Sequence, residues 1–122
     1  MIDQGVILRQ VEAVTVWNYR SAIFLNTDIE NSNPEPTVGY ESLRFYCFCQ
    51  RQIKFRVQQG SRAPVHGGPS YDKSDEFVIL AGIPAATGSV PIRGTYVRIQ
   101  VENDSGLDAN QLDVWVWKSA FP

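Results

Sequence analysis

The segment Leu112 to Trp117, LDVWVW, constrains this chain more than any other. Side chains alternate sides along an extended strand. Leu112, Val114 and Val116 therefore share one face, and Trp115 and Trp117 share the other with Asp113. A strand of an ordinary antiparallel sheet needs only one apolar face. Two tryptophans on the second face require a cover: another sheet, another subunit or a flat ligand.

The chain has 122 residues, the size of one domain, and 43% of them are hydrophobic. That is enough for a real core. The formal net charge is -2 and the pI is about 5.3. Nucleic-acid binders carry a basic patch. Here the 11 Lys and Arg are scattered, apart from Arg51, Lys54 and Arg56. The opening MIDQGVILRQ lacks the basic start and long apolar run of a signal peptide. No stretch approaches the roughly 18 apolar residues of a membrane span. The expectation is synthesis in the cytoplasm and a partner that is neither membrane nor nucleic acid.

Period-two patterning dominates. Val14 and Val16 alternate with Thr15 and Trp17, and Tyr19 continues the second face. Leu43, Phe45, Cys47 and Cys49 lie opposite Arg44, Tyr46 and Phe48. Ile53, Phe55 and Val57 lie opposite Lys54, Arg56 and Gln58; the short gap Gln50–Gln52 predicts a hairpin or one strand continuing through a bulge. Phe77 to Leu80 is a short strand. Thr95 to Glu102 is a strong one, with Val97, Ile99 and Val101 inward and Tyr96, Arg98 and Gln100 outward. Asn26 to Gly39, broken by Pro34 and Pro36, reads as a loop, as does the longer Gln59 to Glu76. About seven or eight short strands separated by turns predict an all-β, single-domain, two-sheet β-sandwich of jelly-roll type. Residues 1–122 form that domain, with Met1–Gln10 as an N-terminal arm able to add a strand to a neighbour.

Catalytic chemistry finds little support. His66 is the only histidine, beside Ser61, Ser70, Asp72 and Asp75 in a loop where such residues are common. A solvated histidine is the simpler reading, and the expectation is no enzyme. Glu102, Asp104 and Asp108 fall in a turn whose NDSGLD stretch lacks the spacing of a calcium loop. Cys47 and Cys49 share a strand face with Cα atoms roughly 6.5–7 Å apart, at or beyond the reach of a disulfide. Two thiols do not make a zinc site. They read as free core cysteines, and neither a metal nor a cofactor is expected.

Aromatic residues give the better signal. Trp17 and Tyr19 share a face, as do Trp115 and Trp117, and each pair is backed by two valines. Two such strands side by side would form one aromatic surface. It would be the sandwich core, a subunit interface, or a platform for sugar rings. Tyr96 and Arg98 point outward on a strand expected to neighbour the last one, where Arg98 would stack on a tryptophan. Trp17, Tyr19, Tyr96, Arg98, Trp115 and Trp117 are the candidate binding residues.

The layout EFVIL, small-residue turn, GTYVRIQVENDSG, LDVWVW resembles small jelly-roll proteins of tailed-phage virions. Those carry a G-x-Y-V-R-V-x-V-x-N segment before a short final strand. Gly94, Tyr96, Val97, Arg98, Ile99, Val101 and Asn103 match it, within a resemblance spanning roughly residues 76 to 120. The resemblance implies a capsid decoration (cement) protein of the virion, or a tail-associated carbohydrate-binding module or adhesin. For the first, the expected partner is a major capsid protein or another virion protein. Loops 26–39 and 59–76 would clamp it, and the chain would be a homo-oligomer, a trimer by preference. For the second, the partner is a glycan.

Overall fold

A computed structural model describes residues 13–60, 73–86 and 89–122. Ten strands make up its regular structure: β1 (Ala13–Ser21), β2 (Ile29–Asn31), β3 (Glu35–Pro36), β4 (Ser42–Cys49), β5 (Ile53–Gly60), β6 (Lys73–Ile79), β7 (Ala85–Ala86), β8 (Val90–Pro91), β9 (Tyr96–Glu102) and β10 (Leu112–Ser119). They form two antiparallel sheets. The first runs β1-β10-β4, with β7 and β8 both paired to the far edge of β4. The second runs β2-β9-β5-β6, with β3 also paired to β9. The fold is an all-β sandwich, as the alternation predicts.

The core lies between the sheets and is built by the apolar faces that alternation separates on β4, β5 and β9, together with the face of β10 that the sequence left open. Leu43, Phe45, Cys47 and Cys49 of β4 meet Ile53, Phe55 and Val57 of β5, and all are essentially inaccessible to solvent. Phe45 stacks on Phe55 with ring centroids 4.2 Å apart, and Phe77 of β6 leans on Phe45 at 5.2 Å. Val97, Ile99 and Val101 of β9 and Leu112, Val114 and Val116 of β10 complete it. Each such side chain contributes about 1.5–3 kcal/mol on burial. Both cysteines are free and buried. Burial pushes both thiols up in pKa, Cys47 most strongly, so neither is a ready nucleophile.

Four expectations are corrected. The link Gln50–Gln52 is neither a hairpin nor a bulge, because β4 and β5 belong to different sheets. Both strands put their apolar residues inward, and crossing between the sheets satisfies both faces at once. The segment 26–39 is more than a loop: β2 and β3 within it pair with β9. They are too short to show a period. The expected loop 59–76 gives its ends to β5 and β6, which pair from Ile53↔Ile79 to Gln59↔Lys73. Its centre, with Ser61, His66, Ser70 and Asp72, lies outside the described residues, as does the arm Met1–Gln10. The fourth correction concerns β1. It lies beside β10 as expected, but a bulge falls between Thr15 and Trp17. Thr15 stands opposite Trp117, whereas Trp17 stands opposite Val116 and Tyr19 opposite Val114. A one-residue slip exchanges the two faces of a strand. Trp17 and Tyr19 therefore pack against the core from the inner face, stacked at 4.9 Å, and share no surface with Trp115 and Trp117.

Candidate functional site

The outer face of the first sheet is a grid of three strands and three rows, because antiparallel partners directly opposite share a face. Thr15, Trp117 and Arg44 form the first row; Asn18, Trp115 and Tyr46 the second; Arg20, Asp113 and Phe48 the third. Strands about 4.8 Å apart and rows about 6.8 Å apart make this a patch of roughly 10 by 14 Å. Trp115 stands at its centre and is 48% exposed, so it is not a core residue. Its ring lies 4.8 Å from that of Trp117, and its indole N–H donates to Thr15 Oγ1 over 3.3 Å.

The third row joins the half-buried Phe48 to a polar pair, Arg20 and Asp113. Arg20 Nε donates to Asp113 Oδ1 at 3.0 Å, and Gln111 Nε2 donates to Asp113 Oδ2 at 3.0 Å. Partial burial of Asp113 favours its neutral form, but the hydrogen bonds from Gln111 and Arg20 and the Arg20 charge outweigh it. The carboxyl is thereby held below the ordinary carboxylate range. A depression of about 330 Å³ opens between Asn18, Arg20, Tyr46, Asp113 and Trp115. A second, of about 360 Å³, continues from Arg20 and Asp113 to Ser21, Ala22, Asn110 and Gln111.

Tyr96 and Arg98 are elsewhere. They sit on β9, whose neighbours are β5, β2 and β3 in the second sheet, so Arg98 cannot stack on a tryptophan of β10. Arg98 instead donates to Gln58 Oε1 from Nε at 2.9 Å and from Nη2 at 2.6 Å. The outer face of this sheet is charged and internally paired. Arg56 bridges Glu76 at 2.9 Å and Glu102 at 2.8 Å, and Lys54 bridges Asp104 at 3.1 Å. Asp75 pairs with Arg93, and Asp108 accepts from the Asn26 backbone. Asp75, Glu76, Glu102, Asp104 and Asp108 thus all have structural partners. The six candidate binding residues divide into three pairs: Trp17 and Tyr19 on the inner face of β1, Tyr96 and Arg98 half-buried on the outer face of the second sheet, and Trp115 and Trp117 on the outer face of the first.

A further feature escapes strand patterning. Segments 22–28, 50–52, 80–83 and 103–111 all meet at one end of the sandwich, where β1 and β9 end and β10 begins. Ten large apolar side chains are exposed among the described residues. Six of them, Ile23, Leu25, Ile29, Leu80, Ile83 and Leu107, belong to this end. Exposed aliphatics gathered at one end make that end a candidate interaction surface, where scattered ones would not. The crown is rigid. Phe24 is fully buried beneath it and exchanges two backbone hydrogen bonds with Ala109, at 2.9 and 2.8 Å. Fully buried Asn103 donates from Nδ2 to the carbonyls of Phe24 and Leu107, at 3.0 and 2.9 Å. Asn26 closes on Asp108 and Gly106, each at 2.9 Å. Gly106, at φ 88, takes a backbone shape suited to glycine. The run AIFL carried the only sequence signal: burying Phe24 by alternation turns Ile23 and Leu25 outward.

No protein-family model matches the chain, and no curated protein matches it. Among solved structures, the chain is similar to the crystal structure of the PBSX exported protein XepA, with a TM-score of 0.66 and 14% identity over 90% of the chain. The chain spans 37% of that protein's length. The likeness is one of fold.

Proposed function

We propose that the chain is a non-enzymatic structural protein of a phage particle, a capsid decoration protein that binds the assembled head through its apolar crown. The observation that carries this reading is the crown itself. Six exposed aliphatics sit at one end, five on hydrogen-bonded loops and Ile29 at the start of β2, while the second sheet's outer face is charged and self-paired. Loops already ordered lose little freedom on docking, so burial of their side chains is retained as affinity. The fold likeness to a phage exported protein is consistent with a phage-associated role. Binding only the assembled state stabilises it by mass action. The partner is then a major capsid protein, the setting is the virion, and several copies of the chain, three by preference, meet at each site.

Co-sedimentation with purified heads tests the reading. The natural chain pellets with heads, whereas Leu25→Asp combined with Leu107→Asp remains in the supernatant with its fold intact. Heads of the parent phage that retain the double variant as well as the natural chain would sink the proposal.

A further inference from the structure

We infer that the groove across the outer face of β1, β10 and β4 is a binding site for a neutral oligosaccharide. One pyranose ring stacks on Trp115, and the next engages the polar pocket beyond the Arg20–Asp113 pair. This goes beyond the docking of a particle and does not depend on it: Ala22, Asn110 and Gln111 border the crown, but none of the crown's exposed aliphatics lines either depression.

The groove's two open depressions, of about 330 and 360 Å³, adjoin at Arg20 and Asp113, which line both. Each lies at the lower end of the range for small-molecule sites. The first depression sets one half-exposed indole among an amide (Asn18), a guanidinium (Arg20), a carboxylate (Asp113) and a phenol (Tyr46). The second holds no aromatic and is lined by Ser21, Asn110 and Gln111. A sugar ring has the matching form: an apolar C–H face on one side and a rim of hydroxyls that donate and accept. An exposed aromatic face takes the first, and fixed polar groups take the second.

Charge narrows the class. Arg20 and Asp113 are bonded to each other at 3.0 Å and cancel, so the groove offers no net charge to an ionic ligand. The carboxylate is also preset. Arg20 and Gln111 hold one oxygen each, which leaves remaining lone pairs aimed by the existing bonds. A group already oriented by a neighbour loses little freedom when it accepts a ligand hydroxyl. A peptide strand is a poorer match. It would add to a sheet edge, whereas this groove lies across the face of three paired strands.

The test uses the full chain, labelled with ¹⁵N, against an array of neutral bacterial oligosaccharides, followed by NMR titration with each one retained. The expected result is retention of at least one neutral oligosaccharide. It shifts the Trp115 indole N–H and the backbone amides of Arg20, Asn110 and Asp113. Trp115→Ala and Asp113→Ala each weaken binding about tenfold or more. Trp115→Phe retains most of it, and Lys54→Ala, on the opposite sheet, leaves it unchanged. The NMR spectrum of each variant establishes that it is folded. Failure of every neutral oligosaccharide to bind the natural chain would overturn the inference. So would binding unchanged in folded Trp115→Ala, or shifts that map to the second sheet. Loss of head binding with sugar binding intact would remove the decoration reading alone.

Discussion

Replacing Asn103 by alanine tests how the crown is held. The Asn103 side chain is fully buried and makes four hydrogen bonds. Nδ2 donates to the carbonyls of Phe24 and Leu107, and Oδ1 accepts from the backbone N–H and hydroxyl of Ser105. After truncation the Phe24 carbonyl keeps the Ala109 N–H, and the Ser105 hydroxyl, released from Oδ1, donates to the Leu107 carbonyl 3.0 Å away. Ser105 is exposed, and its backbone N–H turns to water. No group is stranded, so the loss is that of the bonds alone. At about 1 kcal/mol for each bond to Nδ2 and less for the exposed pair, the cost is about 2–3 kcal/mol. Urea unfolding followed by tryptophan fluorescence would show the midpoint falling by about 1–2 M.

Asn103→Asp sharpens the test. A carboxylate oxygen would face the two carbonyls that Nδ2 now serves, so this variant is less stable than Asn103→Ala at neutral pH. Burial and those carbonyls raise the introduced carboxyl's folded pKa above its unfolded value. Its deficit is therefore smallest below the unfolded pKa, where the group is protonated, and grows as pH rises through the folded one. The gap between the two variants closes on acidification. A loss under about 0.5 kcal/mol for Asn103→Ala, or equal stability of the two at pH 7, would refute the bonding scheme.

Other outcomes follow from the same structure. A Cβ at Gly94 would sit 2.4 Å from the Gly60 carbonyl oxygen, a backbone atom, so Gly94→Ala costs about 2–3 kcal/mol and lowers the melting temperature by about 10 °C in calorimetry. Cys47 and Cys49 are buried with raised pKa values, so a thiol reagent titrates neither in the native chain and both after denaturation. The depressed folded pKa of Asp113 gives a stabilisation present above its unfolded value and lost as pH falls through the folded one. The natural chain therefore loses its advantage over Asp113→Asn below about pH 4 in melting curves. Thr27 is β-branched yet adopts φ 75, so Thr27→Asn, better suited to that backbone, raises the melting temperature by a few degrees.

Much of the core was legible because β4, β5 and β9 alternate cleanly and their apolar faces are buried, whereas β10, apolar on both faces, did not show which of them is inward. Faces were less legible than strands. One bulge beside Val16 moves Trp17 and Tyr19 inward, and no composition rule marks a single extra residue. Sheet membership was hidden too: the outward pattern of Tyr96 and Arg98 is the same whether β9 lies beside β10 or across the sandwich from it. Short strands such as β2, β3 and β7 owe their form to their neighbours. The segment matching the phage-virion layout turns out to carry structural constraints. Gly94 is needed for its close approach to Gly60, and Asn103 ties the crown loops together. Such a motif reports the fold more directly than the ligand. Trp115 and Trp117 stay on the outer face because the opposite face of their strand, Leu112, Val114 and Val116, is buried.

Hydrogen exchange on the chain bound to assembled heads tests the central claim most directly. The account predicts slowed exchange at amides of 22–28, 80–83 and 103–111, the segments that carry the exposed aliphatics, with the outer face of the second sheet unchanged. Protection confined to β5, β6 and β9, or exchange identical with and without heads, would contradict it.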